Sequence, residues 1–121
     1  MKQINIFVEL TRLNKPIGIM LLFWPCLWGL TLGYYFNIDN NLYLKYLFLF
    51  FLGSVLMRSA GCIVNDIVDK DLDIKVERTK KRPIASKKIS VFQSLIYVII
   101  LCLISFLILI QFNFLTIALG L

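Results

Sequence analysis

The stretch Asn65–Asp73, NDIVDKDLD, places four aspartates and an asparagine in nine residues, directly after a long apolar segment. Carboxylates at the edge of a membrane-like run are costly to keep away from water, and function is the usual reason to keep them there. Wound as a helix at about 100° per residue, the segment brings Asp66, Asp69 and Asp73 within roughly 60° of one another, and Asn65 widens the arc to about 100°. Asp71 points to the far side. One face thus offers hard oxygen ligands, which suit Mg²⁺ better than a metal that prefers thiolate or imidazole.

The residues that follow carry the opposite charge. Arg78, Lys80, Lys81 and Arg82 come directly after the acidic face. Mg²⁺ is commonly held by one or two carboxylates together with substrate phosphates, and arginines and lysines hold the rest of a phosphate group. An acidic face plus a basic loop at a membrane surface points to a phosphorylated lipid. A diphosphate leaves readily once metal and cations neutralise its developing charge, so transfer of the lipid's carbon chain is the reaction expected.

Other readings of the same letters are weaker. Asp69, Asp71 and Asp73 have the D-x-D-x-D spacing of a calcium-binding loop, but that loop then needs a glycine and a distal glutamate. Ile74 and Lys80 stand at those places, which excludes it. A solvated helix end whose aspartates merely balance the lysines is the plain alternative. Eight basic residues between Lys70 and Lys88 would also suit nucleic acid. Next to membrane spans they are explained by the excess of positive charge on cytoplasmic loops, so no nucleic-acid partner is expected.

The elements that must position this chemistry are helices in a bilayer. Of 121 residues 60% are hydrophobic and 17% charged, too little polar surface to cover a soluble domain. The apolar residues form runs, and the fold class expected is an all-α, multi-pass transmembrane bundle. The first span is Pro16–Phe36, with Pro16 at a helix start and Pro25 predicting a kink. Trp24 and Trp28 share a face suited to packing or lipid, and Tyr34 and Tyr35 fit an interfacial belt. A polar turn, Asn37–Asn41, leads to a second span at 42–64, where Lys45 can snorkel but Arg58 lies about two turns inside the end. Arg58 either pairs with another helix or faces an anionic substrate in the bundle interior. The polar loop 65–90 follows, where Arg82-Pro83 stops any helix.

The third span is 91–110. Gln111–Asn113 breaks it, and Phe114–Leu121 begins a fourth apolar run of eight residues, too short to cross a bilayer. The charge bias places the N-terminus and the basic loop in the cytoplasm, with Asn37–Asn41 and Gln111 outside. Cys26, Cys62 and Cys102 lie in apolar runs without CxxC spacing, and there is no histidine, so neither a disulfide framework nor a zinc site is expected. The charged N-terminus is not followed by a short h-region and cleavage site, so it does not read as a signal peptide.

NDIVDKDLD also matches the N-D-x-x-D-x-x-x-D motif of the UbiA family of intramembrane prenyltransferases, which the chain resembles over nearly its whole length. RLNKPIG (Arg12–Gly18), LLFWPCLWGL (Leu21–Leu30), LMRSAGCIVND (Leu56–Asp66) and RTKKRPIAS (Arg78–Ser86) follow the family pattern in order and spacing. The resemblance implies a bundle of about nine spans around a cavity open to lipid. It implies transfer of a prenyl group from a polyprenyl diphosphate to an aromatic ring with Mg²⁺, in the bacterial inner membrane. The LNKPIG and WPCLW blocks favour 4-hydroxybenzoate as acceptor, a step of ubiquinone synthesis.

By the same resemblance Asn65, Asp66, Asp69 and Asp73 ligate Mg²⁺ and orient the diphosphate, with the three aspartates as the catalytic set. Arg78 and Arg82 contact the diphosphate. Arg12 and Arg58 are candidates for substrate anions, including the acceptor carboxylate. Asp71 has no role. Ile74 and Ala85-Ser86 replace the glycine and the Pro-Ser expected there, and the family's second aspartate motif is absent, since Glu77 is the only acidic residue after Asp73. The expectation is therefore an N-terminal portion of such an enzyme, inactive alone and completed by a C-terminal half. A relative acting on another aromatic or quinone precursor, or a non-catalytic membrane remnant, are the competing readings.

Overall fold

The computed structural model describes residues 2–36 and 39–121. The described residues form six helices and no strand: α1 (Lys2–Thr11), α2 (Ile17–Tyr35), α3 (Asn40–Val68), α4 (Lys70–Asp73), α5 (Val91–Leu109) and α6 (Phe114–Gly120). Asn37 and Ile38, two of the five residues of the expected polar turn, lie outside the described residues.

Three helices, α2, α3 and α5, are long and apolar enough to cross a membrane, so the all-helical, multi-span expectation holds. Their outward faces are apolar: Trp24, Trp28, Leu32, Phe92 and Leu103 are all exposed, as lipid-facing residues are. Helix α2 includes Pro25, while Pro16 precedes its first residue, where the missing N–H leaves no bond unmade. Helix α5 opens on a reciprocal cap in which Gln93 N donates to Ser90 Oγ and Ser90 N donates to Gln93 Oε1. The expected break at Gln111–Asn113 ends with Asn113 accepting from Thr116 N at 2.9 Å, which starts α6.

Helix α3 is the centre of the fold, with α5, α2 and α1 all packed on it. Small residues on its buried face, Ser54, Ser59 and Ala60, let the neighbouring backbones approach closely. The core joins Leu10 of α1, Ala60 and Ile63 of α3, Leu101 of α5, and Ile84 of the loop.

Two of these contributions go beyond the sequence reading. The charged N-terminus is a helix: Phe7 meets Tyr97 edge-on at 5.3 Å, and Leu10 is fully buried. The polar loop is also anchored rather than merely solvated. Pro83, Ile84 and Ala85 are buried, and a chain of turns links Arg82 N to Thr79 O, Ser86 N to Arg82 O and Lys88 N to Pro83 O, each at 2.9 Å.

Candidate functional site

The acidic motif begins in the last turn of α3 and runs through α4. The helix pauses at Asp69, which has non-helical dihedrals of φ −85° and ψ 4°, yet the bonding continues. Asp69 N donates to Asn65 O at 2.9 Å, and Asp73 N donates to Asp69 O at 2.8 Å. The register survives the pause. Asp66 and Asp73 are both buried, Asp69 is half-buried, and Asn65 is exposed. Asp71 projects outward with its side chain 87% exposed, facing only Lys70 at 3.9 Å, as its opposite helical position predicts.

Two arginines converge on the buried carboxylates. Arg12 Nη2 donates to Asp66 Oδ1 at 2.6 Å. Arg82 Nη1 donates to Asp73 Oδ2 at 2.8 Å and lies 3.2 Å from the same Asp66 Oδ1. Asp66 is 1% exposed, so its charge is tolerable only because it is paired twice. Both arginines are about three-quarters covered themselves.

Local structure explains how each arginine arrives. Arg12 follows α1 with φ 55°, a left-handed conformation that costs a non-glycine residue about 1–2 kcal/mol. That residue turns the chain out of α1, and Lys15 N closes the turn on Arg12 O at 2.9 Å. Arg82 is held from below by the buried Pro83 and Ile84. From the other side, Thr79 Oγ1 donates to Asp73 O at 3.1 Å and ties the loop to α4.

The remaining candidates stand apart from this cluster. Arg78 is exposed and forms no ion pair among the described residues. Arg58, on α3, lies against Gly18 of α2, where a Cβ would collide with Nε. Gly18 thus shapes the seat of Arg58, and sequence reasoning missed it. The signal was present in the PIG turn opening α2, but only an inter-helix contact reveals what the missing side chain makes room for.

Among the described residues no group of three or more His, Cys, Asp or Glu side chains is gathered closely enough to hold a metal. Two carboxylates nevertheless meet on one cationic nitrogen, Arg82 Nη1. That donor set fits Mg²⁺, which takes one or two carboxylates and completes its shell with phosphate oxygens and water. Farther into the bundle, an apolar cavity of about 380 Å³ lies between α2, α3, α5 and α6, lined by Cys26, Gly53, Met57, Cys102 and Phe106 among others.

Comparison with known proteins identifies the family. A model described as the UbiA prenyltransferase family matches residues 22–121. The 4-hydroxybenzoate octaprenyltransferase of Alkalilimnicola ehrlichii is 45% identical over 115 residues, covering 95% of this chain and 38% of the relative. That of Shewanella oneidensis is 48% identical over 102 residues, covering 84% and 34%. The mitochondrial 4-hydroxybenzoate polyprenyltransferase of Drosophila melanogaster is 42% identical over 116 residues, covering 94% and 29%. The chain spans less than two fifths of the length of these curated relatives. No solved structure matches it significantly.

Proposed function

Since this chain belongs to the UbiA prenyltransferase family, we propose that it serves the Mg²⁺-dependent transfer of a polyprenyl group from a polyprenyl diphosphate to 4-hydroxybenzoate, a step of ubiquinone biosynthesis. The observation that carries the reading is the cluster of Asp66, Asp73, Arg12 and Arg82 at the end of an apolar bundle. The protein lies in the bacterial inner membrane, with its N-terminus and the 65–90 loop in the cytoplasm, where the positive charge of the loop belongs.

Asp66 and Asp73, with Asn65 and Asp69 beside them, are the residues that would hold Mg²⁺. When bound, the ion supplies charge neutralisation at the departing diphosphate. Arg82 and the exposed Arg78 bind the diphosphate oxygens. Arg12 holds Asp66 in place, and we assign to Arg58, seated against Gly18, the binding of the acceptor's carboxylate. The allylic C–O bond breaks, and both of its electrons leave with the diphosphate. The phenol ring then forms a C–C bond beside its hydroxyl and passes the ring proton to the released diphosphate, regaining aromaticity. The apolar cavity suits the isoprenoid chain, and exclusion of water there protects the carbocation from hydrolysis.

These 121 residues carry one acidic motif.

The test uses membranes containing the full-length gene product, a radiolabelled polyprenyl diphosphate and a panel of aromatic acceptors. Prenylated 4-hydroxybenzoate forming only with Mg²⁺ is the expected result. Preference for another acceptor, or turnover unaffected by a chelator, would overturn the reading.

A further inference from the structure

Arg82 occupies a particular place: a single nitrogen, Nη1, lies 2.8 Å from Asp73 Oδ2 and 3.2 Å from Asp66 Oδ1. A cation bound by both carboxylates must take the space between them. Mg²⁺ holds its oxygens at about 2.1 Å and repels a neighbouring guanidinium, so the two cannot share that space.

We propose that Arg82 is an internal counter-ion of the acidic motif, displaced from Asp66 and Asp73 by a divalent cation and thereby released to bind the diphosphate. This rests on the reading of the motif as a metal site.

Three features favour Arg82 over Arg12 as the group that moves. Arg82 bridges the two carboxylates, whereas Arg12 binds only Asp66. The contact of Arg82 with Asp66 is the longer, 3.2 Å against 2.6 Å. Its backbone is fixed by the buried Pro83 and Ile84, so only the side chain swings and the guanidinium stays within reach of the site. The arrangement couples two ligands. Before metal binds, Arg82 keeps the buried carboxylates neutralised and close together. Metal takes over that task, and the freed guanidinium becomes a phosphate donor, so each ligand favours the other.

Arginine-specific labelling with phenylglyoxal, mapped by mass spectrometry on the full chain in lipid nanodiscs, tests this directly. Calorimetry on the same sample measures Mg²⁺ binding. Saturating Mg²⁺ is expected to raise labelling of Arg82 about threefold or more, while the exposed Arg78 stays unchanged. Asp73→Asn should raise Arg82 labelling without metal. Arg82→Gln should bind Mg²⁺ alone about tenfold more tightly, because a competing charge-assisted bond is gone. Lys81→Gln, which removes the same charge next door, should stay within about twofold. Mg²⁺ binding with unchanged Arg82 labelling overturns the inference and spares the metal reading. No Mg²⁺ binding in any variant overturns both. The wild-type labelling decides the matter even where a variant fails to fold.

Discussion

Arg12 and Asp66 are 54 residues apart in the chain, yet their side chains meet at 2.6 Å. The contact joins the turn after α1 to the last turn of α3. It needs the left-handed backbone at Arg12, since a residue continuing α1 would carry its side chain elsewhere. Lys88, at 3.5 Å from Glu9, adds a weaker exposed tie between the loop and α1. The N-terminal helix is thus a wall of the acidic site.

Removing Arg12 should separate its two contributions. Arg12→Ala leaves a buried carboxylate with one partner fewer and keeps the backbone strain, a loss of about 2–3 kcal/mol given that the arginine is partly exposed. Arg12→Gly relieves the strain and should be about 1 kcal/mol less damaging. Denaturant unfolding of the purified protein in mild detergent measures both. In a double-mutant cycle, Asp66→Asn should cancel most of the effect of Arg12→Ala, because the unpaired charge has gone.

Much of this was legible in the letters, for physical reasons. Apolar runs near twenty residues specify spans, and the i, i+3, i+7 spacing of Asp66, Asp69 and Asp73 specifies a shared face. Asp71 was separable on angle alone. The partners of the acids were less legible. Arg82 stood out by type and Arg12 only through the family resemblance, but spacing says nothing of contacts 54 or 16 positions apart, and their nearest anions are the protein's own carboxylates. Gly18 was invisible because its role is the space it leaves for Arg58. The helix at Lys2–Thr11 was hidden because charge at both ends masked the short apolar face of Phe7 and Leu10.

The anchoring of the loop makes Ile84 a control point for Arg82. Ile84→Ala should cost about 2–4 kcal/mol from the core that loop and bundle share. Hydrogen exchange should speed up across residues 74–90 while α5 stays protected. If exchange accelerates equally in α5, the loop is not an independent unit.

Gly18→Ala should move Arg58, because a Cβ at that position collides with the guanidinium. At Gly53 or Gly29 the same change meets nothing within 4 Å and should be neutral or slightly stabilising, as alanine is the better helix former. The expected damage at Gly18 is about 1–3 kcal/mol if Arg58 cannot yield. Arg58→Ala in the same chain should remove it. Additive losses in that pair would mean that Gly18 serves some contact other than Arg58.

Among the aspartates, Asp71 supplies an internal control. Its side chain is exposed on the opposite face, so Asp71→Asn should leave Mg²⁺ affinity and prenyl transfer within about twofold of wild type. Asp66→Asn and Asp73→Asn should each lower Mg²⁺ affinity at least about tenfold, since each removes a charged oxygen donor from the pair that Arg82 spans. Their effects on folding should differ. Asp66→Asn leaves both arginines short of a carboxylate, while Asp73→Asn leaves Arg82 its second contact with Asp66. Thermal unfolding without metal should therefore rank Asp71→Asn as most stable, Asp73→Asn next and Asp66→Asn last. Equal metal affinity in the Asp71 and Asp73 variants would show that the face chosen by the helix is not the face that binds the ion.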